Sequence, residues 1–187
     1  KEKLNYYDFM KKILIIFSIL FIFGCSQGDN AGENINQVDK ITNKNMIFSI
    51  EDFKNIGYKI NKEYDISELE NANGAWYGFW KNNLGKPIDY EIRIYPSQQL
   101  ILDKGIPYVE EVIGENAVLK KSASSWKEGI QDRRSRNNSS MSGSEANSVR
   151  AKYLDYFING NVIILCSGLD LTYATQNCSD LSSELVK

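Results

Sequence analysis

Ile88–Tyr95, IDYEIRIY, alternates without a break: Ile88, Tyr90, Ile92 and Ile94 fall on one side, Asp89, Glu91, Arg93 and Tyr95 on the other. Successive side chains of a strand point to opposite faces, so the run predicts a strand with one face in the core and one in water. A half-wetted strand belongs to an antiparallel sheet, because parallel sheets are covered on both faces and read as unbroken apolar runs. Pro96 ends the strand, since proline lacks the N–H that the ladder needs.

Downstream lies a hairpin signal. Lys152–Ile158 and Asn161–Cys166 flank Asn159-Gly160, a pair that suits a type I′ turn because both residues tolerate positive φ. Upstream, Trp76–Trp80 (WYGFW) and Tyr58–Ile60 read as further strands. Helices fill the intervals. Ser49 and Asp52 cap Ile50–Ile56, which Gly57 stops, and Asp65–Glu68 opens a short helical turn that Gly74 closes. Ser97 caps Gln98–Ile113, whose apolar stripe is Leu102, Ile106, Val109 and Ile113, with Gly105 and Pro107 kinking or splitting it. Asp170 caps a C-terminal helix with Leu171, Ala174, Cys178, Leu181 and Leu185 on one stripe. Trp126–Arg134, WKEGIQDRR, has no period that decides its structure. These elements predict an α+β fold: an antiparallel sheet of about four strands, including the C-terminal hairpin, covered by helices and closed by a C-terminal helix.

The N-terminal part is of another kind. In MKKILIIFSILFIFGCSQGDN, Met10–Asn30, Lys11 and Lys12 precede an apolar run, Ile13–Phe23, broken only by Ser18. A membrane span needs roughly 20 apolar residues, and this run is shorter. Charged n-region, short apolar h-region and a small residue at the end describe a signal peptide. Ile22-Phe23-Gly24-Cys25 resembles the lipobox of bacterial lipoproteins, although Phe23 is bulkier than that position usually carries. The resemblance, which covers Met10 to about Gln27, implies that Cys25 is acylated, becomes the first mature residue and holds the protein to membrane lipid. Two or more acyl chains make a stable anchor where one does not. Ser26, following the cysteine, implies the outer membrane if the cell has two. On this reading residues 1–24 are the signal peptide and residues 1–9, with Glu2 and Asp8, precede the true start. Residues 25–45, rich in Asn, Gly and Asp, form a flexible tether, and 46–187 a single α+β domain with a mobile Ser/Asn/Gly loop at 135–149.

Composition excludes several functions. The 187 residues contain no histidine, which removes Ser–His and Cys–His nucleophile pairs and His-based zinc sites. There is no Gly-rich phosphate loop, EF-hand pattern or Cys-x-x-Cys pair, so neither a cofactor nor a metal site is expected. A formal net charge of −2 argues against nucleic acid as a partner.

The remaining candidates are few. Trp76, Tyr77, Phe79 and Trp80 are aromatic enough to line a ligand groove. Arg133 and Arg134, in DRR, could fork onto a carboxylate or phosphate, although such a run also suits a solvated helix end. Glu110 with Glu111, or Asp89 with Glu91, would serve a glycan hydrolase only if set across a cleft from another carboxyl. Cys166 shares its strand face with Val162 and Ile164, and Cys178 lies on the apolar stripe of the following helix, so a disulfide between them is expected in an oxidising compartment. The leading expectation is a membrane-anchored envelope lipoprotein whose domain binds a small ligand or envelope protein without catalysis. The alternative is a small carboxylate-dependent hydrolase acting on glycans.

Overall fold

The structure, a computed structural model, describes residues 38–136 and 149–187. The predicted signal peptide, Cys25 and residues 137–148 of the predicted loop lie outside the described residues. In chain order the elements are β1 (Ile41–Thr42), α1 (Ile50–Asn55), β2 (Lys59–Glu63), β3 (Gly74–Lys81) and β4 (Pro87–Ile94). A helical stretch follows, made of α2 (Gln98–Leu100), a π-helical turn (Ile101–Gly105) and α3 (Ile106–Glu110). Then come β5 (Arg134–Arg136), β6 (Val149–Ala151), β7 (Tyr153–Asn159), β8 (Val162–Ser167) and α4 (Leu171–Glu184).

The fold is α+β, with a sheet of six strands rather than about four, in the order β1-β7-β8-β4-β3-β2. All neighbours are antiparallel except β1 on β7. β5 and β6 form a separate antiparallel pair, so both ends of the predicted loop at 135–149 are strand. The extra edge strand comes from the predicted tether. Ile158 N donates to Lys40 O at 2.7 Å, Gly160 N donates to Thr42 O at 3.0 Å, and Lys40 Nζ pairs with Asp155 Oδ1 at 2.6 Å. Two residues of strand are too short to carry a period, and Asn43, at φ 52°, turns the chain away immediately afterwards.

Helices cover one face. Trp76, Trp80, Tyr90, Ile92, Ile94, Phe157, Val162, Ile164 and Cys166 pack beneath Phe53 of α1 and Cys178 and Leu181 of α4. Ser49 N donates to Asp52 Oδ2 at 2.7 Å at the start of α1, and the Asp170 carboxylate accepts from Tyr173 N at 3.0 Å at the start of α4, as their sequences predict. Cys166 and Cys178 are joined by a disulfide with Cα atoms 5.5 Å apart. Gly168 permits the sharp return from β8 into α4, because a Cβ there would stand 2.5 Å from Ala174 N.

The other face is not wet. Ile101 and Val109, followed by Val112, Trp126 and Ile130, lie over Ala75, Tyr153, Ile163 and Leu165. The expected solvent face of β4 is therefore interior at Glu91, Arg93 and Tyr95, all fully buried, and only Asp89 of that set is partly exposed. The covering helix is continuous through the expected kink. Ile106 N donates to Ile101 O in the wide π turn, which relieves the clash of the Pro107 ring with the carbonyl four residues before it.

Three local expectations are corrected. Asn159 pairs across the ladder with Val162, so the hairpin turn is Gly160-Asn161, with positive φ at Gly160 alone, the pattern of a II′ turn. Asn161 is fixed there by its side chain, which accepts from Phe48 N at 2.6 Å and donates to Tyr95 O at 2.8 Å. Asp65–Glu68 forms a turn held by Ser67 N donating to Asp65 Oδ1 at 2.8 Å, not a helix, and Gly74 opens β3 instead of closing one. Trp126–Arg133 is turn and loop, so DRR ends no helix.

Gly78 shows how tightly β2 and β3 meet. A Cβ at Gly78 would lie 2.3 Å from Lys59 O and 2.8 Å from the Tyr58 ring, whose hydroxyl donates to Tyr90 O at 3.2 Å. Gly78→Ala therefore forces backbone apart and is expected to destabilise the domain by about 1–3 kcal/mol in urea titration. An unchanged unfolding midpoint would refute that packing.

Candidate functional site

The polar residues that β4 sends inward meet Arg133, which the turn after Gly129 delivers. Gly129 holds φ 71°, and Asp132 N and Arg133 N both donate to Gly129 O, at 3.0 and 3.2 Å. A Cβ at Gly129 would sit 2.7 Å from the Tyr64 ring and 3.0 Å from Arg133 Nη2, so this close approach requires glycine. Arg133 grips Glu91 as a fork, Nε to Oε2 at 2.8 Å and Nη2 to Oε1 at 3.0 Å, and Arg93 Nε donates to the same Oε1 at 2.7 Å. All three side chains are 0% exposed.

Trp126 roofs the cluster. The Arg133 guanidinium lies 4.2 Å and that of Arg93 4.9 Å from its ring centroid, and Tyr64 meets it edge-on at 5.7 Å. Trp126 is itself anchored by its indole N–H, which donates to Asp65 O at 3.0 Å. Cations stacked on aromatic faces gain about 2 kcal/mol or more when desolvated. Burial would raise the Glu91 pKa, but the guanidiniums of Arg133 and Arg93 outweigh it and hold the carboxyl below its ordinary value. Burial pulls the Arg93 pKa down, offset only in part by Glu91. For Arg133 the Glu91 charge more than offsets burial and the pKa is raised. The result is a buried triad of two cations and one anion, which fixes Glu91 as a carboxylate and denies it the protonated form a general acid needs.

Asp89 and Glu111, of the other candidate acids, are also engaged. Asp89 Oδ2 accepts from Tyr77 OH at 3.2 Å and pairs with Lys152 Nζ at 3.0 Å. Glu111 Oε1 accepts from Ser124 Oγ and Ser125 N, each at 2.7 Å, and these bonds hold its pKa below the ordinary value against the opposing effect of burial. Glu110 is exposed. Among the described residues no group of three or more acidic or cysteine side chains is placed to hold a metal ion.

The predicted aromatic groove is partly assembled. Trp76 lies in the core, and Tyr77 points to the opposite face, toward Lys152. Trp80 reaches a surface groove of about 490 Å³ together with Ile56, Phe79, Lys59, Lys81 and Glu184. Trp80 is held there by its indole N–H, which donates to Ile56 O at 2.9 Å, and Phe79 is 39% exposed. Of the two candidate arginines, Arg133 is internal and Arg134 is spent on the chain, with Nε donating to Leu119 O at 2.7 Å and Nη1 to Gln131 Oε1 at 2.9 Å. The sequence reading missed Trp126, Tyr64 and the inward turn of Glu91 and Arg93. One signal was available: Val162–Cys166 is apolar at every position, the mark of a strand covered on both faces, and its partner β4 must then be covered too.

The geometry defines a three-layer α+β domain with a buried ion triad on one sheet face and a disulfide on the other. The chain belongs to a family of unknown function, DUF6810, whose model matches residues 49–187. No curated protein and no solved structure matches it. The family match takes in the sheet from β2 onward, both covering layers, the triad and the two disulfide cysteines, Cys166 and Cys178.

Proposed function

We propose that the protein is an exported envelope lipoprotein, anchored to membrane lipid through Cys25. Its domain binds a small ligand or partner protein at the Trp80 groove without catalysing a reaction. The observation that carries the export is the Cys166–Cys178 disulfide, a bond typical of oxidising compartments. It agrees with the compartment that Ile22–Cys25 implies. Binding is favoured over carboxylate-dependent hydrolysis of glycans because Glu91, Asp89 and Glu111 are each committed to internal partners. The groove offers exposed Phe79 and a small part of Trp80 beside Lys59, Lys81 and Glu184, apolar and charged groups that a ligand or partner could meet together.

The test is metabolic labelling of cells with an alkyne fatty acid. Wild-type protein takes up the label and sediments with membranes. Cys25→Ala takes up none and leaves the membrane fraction. A wild-type protein without label, or a Cys25→Ala variant that still fractionates with membranes, overturns the anchoring.

A further inference from the structure

The triad does not balance its own charge or its own hydrogen bonds. Two guanidiniums face one carboxylate, leaving one positive charge in excess in a fully buried cluster. Arg133 Nη1 and both Nη1 and Nη2 of Arg93 have no hydrogen-bond partner among the described residues, nor do the hydroxyls of Tyr95 and Tyr153. Each Nη carries two N–H groups, so the three nitrogens hold six unmet donors, more than the lone pairs of the two tyrosine hydroxyls can take. Glu91 can meet little of this demand, because three of its four lone-pair sites are taken: Oε1 accepts from Arg93 Nε and Arg133 Nη2, and Oε2 from Arg133 Nε. A buried donor without a partner costs about 1–3 kcal/mol, and more when charged.

Water is a poor match, since each water that accepts from a guanidinium brings two protons that need acceptors of their own. A species that only accepts, and is negative, meets both deficits together. The Nη1–Nη2 edge of Arg93 presents two parallel N–H donors, the fork that binds anions bidentately. Tyr95 follows two residues along the same strand face, with its hydroxyl unpartnered and Gly105 of the π turn packed on it, a Cβ there lying 3.2 Å from the oxygen. We propose that the Nη1–Nη2 edge of Arg93 is a buried binding site for one small inorganic anion, a halide, which neutralises the Arg93–Glu91–Arg133 triad from within the sheet-to-loop layer. Arg93 and Arg133 have no exposed surface, so the guest enters only as the domain folds or opens locally.

Thermal unfolding of the purified full chain in sodium chloride and in sodium gluconate, at matched ionic strength, tests the site. A ligand that binds only the folded state raises the midpoint with its concentration, by roughly 3–5 °C per tenfold chloride above the dissociation constant for a domain of this size. Arg93→Lys, which keeps the charge and removes the fork, should abolish that dependence. Crystals grown with sodium bromide should show one anomalous peak within hydrogen-bond reach of Arg93 Nη1 and Nη2, a readout that does not depend on the variant folding. Equal midpoints in the two salts with no bromide peak at Arg93 would mean that the donors are hydrated instead, and the proposal fails. It fails equally if Arg93→Lys keeps the full chloride dependence, or if formate stabilises the protein more than chloride does.

Discussion

Glu91→Ala will destabilise the domain by about 3–5 kcal/mol, the usual effect of removing one partner from a buried ion pair. The loss is large because Glu91 serves two cations, each fully buried and each stacked on Trp126. The variant leaves two guanidiniums facing one another without the charge that holds them. In a thermal melt this corresponds to a fall in midpoint of roughly 10–15 °C. The same reasoning makes a contrasting claim for the triple variant Glu91→Leu, Arg93→Met and Arg133→Met, which removes all the charges and keeps the volume. Such replacements are often neutral or stabilising, because desolvating three ions costs more than their attraction returns. The triple variant should therefore unfold well above Glu91→Ala in both heat and urea. If Glu91→Ala melts within about 3 °C of wild type, the triad does not hold the layer together.

Acid provides a second measure of the same group. The Glu91 pKa is depressed in the folded state, so its contribution is fully present above the unfolded value near 4.5 and is lost as pH falls through the lower, folded value. Glu91→Gln lacks the charge at every pH. The stability gap between wild type and Glu91→Gln should be wide and constant from pH 5 to 7 and narrow below about pH 4. A gap that stays constant down to pH 2 would mean that the carboxylate is not held ionised by its neighbours.

What the sequence showed and what it concealed have the same physical source. Alternation identifies β4 and separates its two faces, the Asn-Gly pair marks the C-terminal hairpin, and the helical stripe marks α4, all at nearly their true bounds, although Leu171 of that stripe is 58% exposed. Alternation does not say what covers a face. Glu91 and Arg93 look solvated because charged side chains usually are, and their burial depends on Arg133, which lies 42 residues from Glu91 in the chain and comes from a stretch with no period. Trp126 belongs to that same stretch, and nothing local connects it with Asp65, 61 residues away. The WYGFW run marks an aromatic strand, but parity sends both Trp76 and Trp80 into the core, and only its end, with Trp80 beside the exposed Phe79, borders the groove. β1 was concealed because its two residues earn their place through β7, not through any pattern of their own.

Removing the disulfide, as Cys166→Ala with Cys178→Ala, should destabilise the domain by roughly 3 kcal/mol, the loop-entropy value for a cross-link spanning about a dozen residues. The cysteines are 12 apart in sequence, and the closed loop contains the turn at Gly168 and the first half of α4. Without the bond, α4 keeps its apolar contacts through Ala174 and Leu181 and its cap at Asp170, so the helix should stay docked and the unfolding transition should remain single. The midpoint should fall by roughly 6–12 °C. Both cysteines have no exposed surface, so a reductant reaches the sulfurs only when α4 lifts from β8. Dithiothreitol should therefore reduce the native protein slowly, at a rate that rises with sub-denaturing urea, and reduce the unfolded protein at once. Mass spectrometry after alkylation follows this directly. Fast reduction of the native protein would place the bond at the surface. Two thiols titrating in freshly exported protein, denatured without reductant, would show that the bond does not form in the cell, and the compartment argument would fall with it.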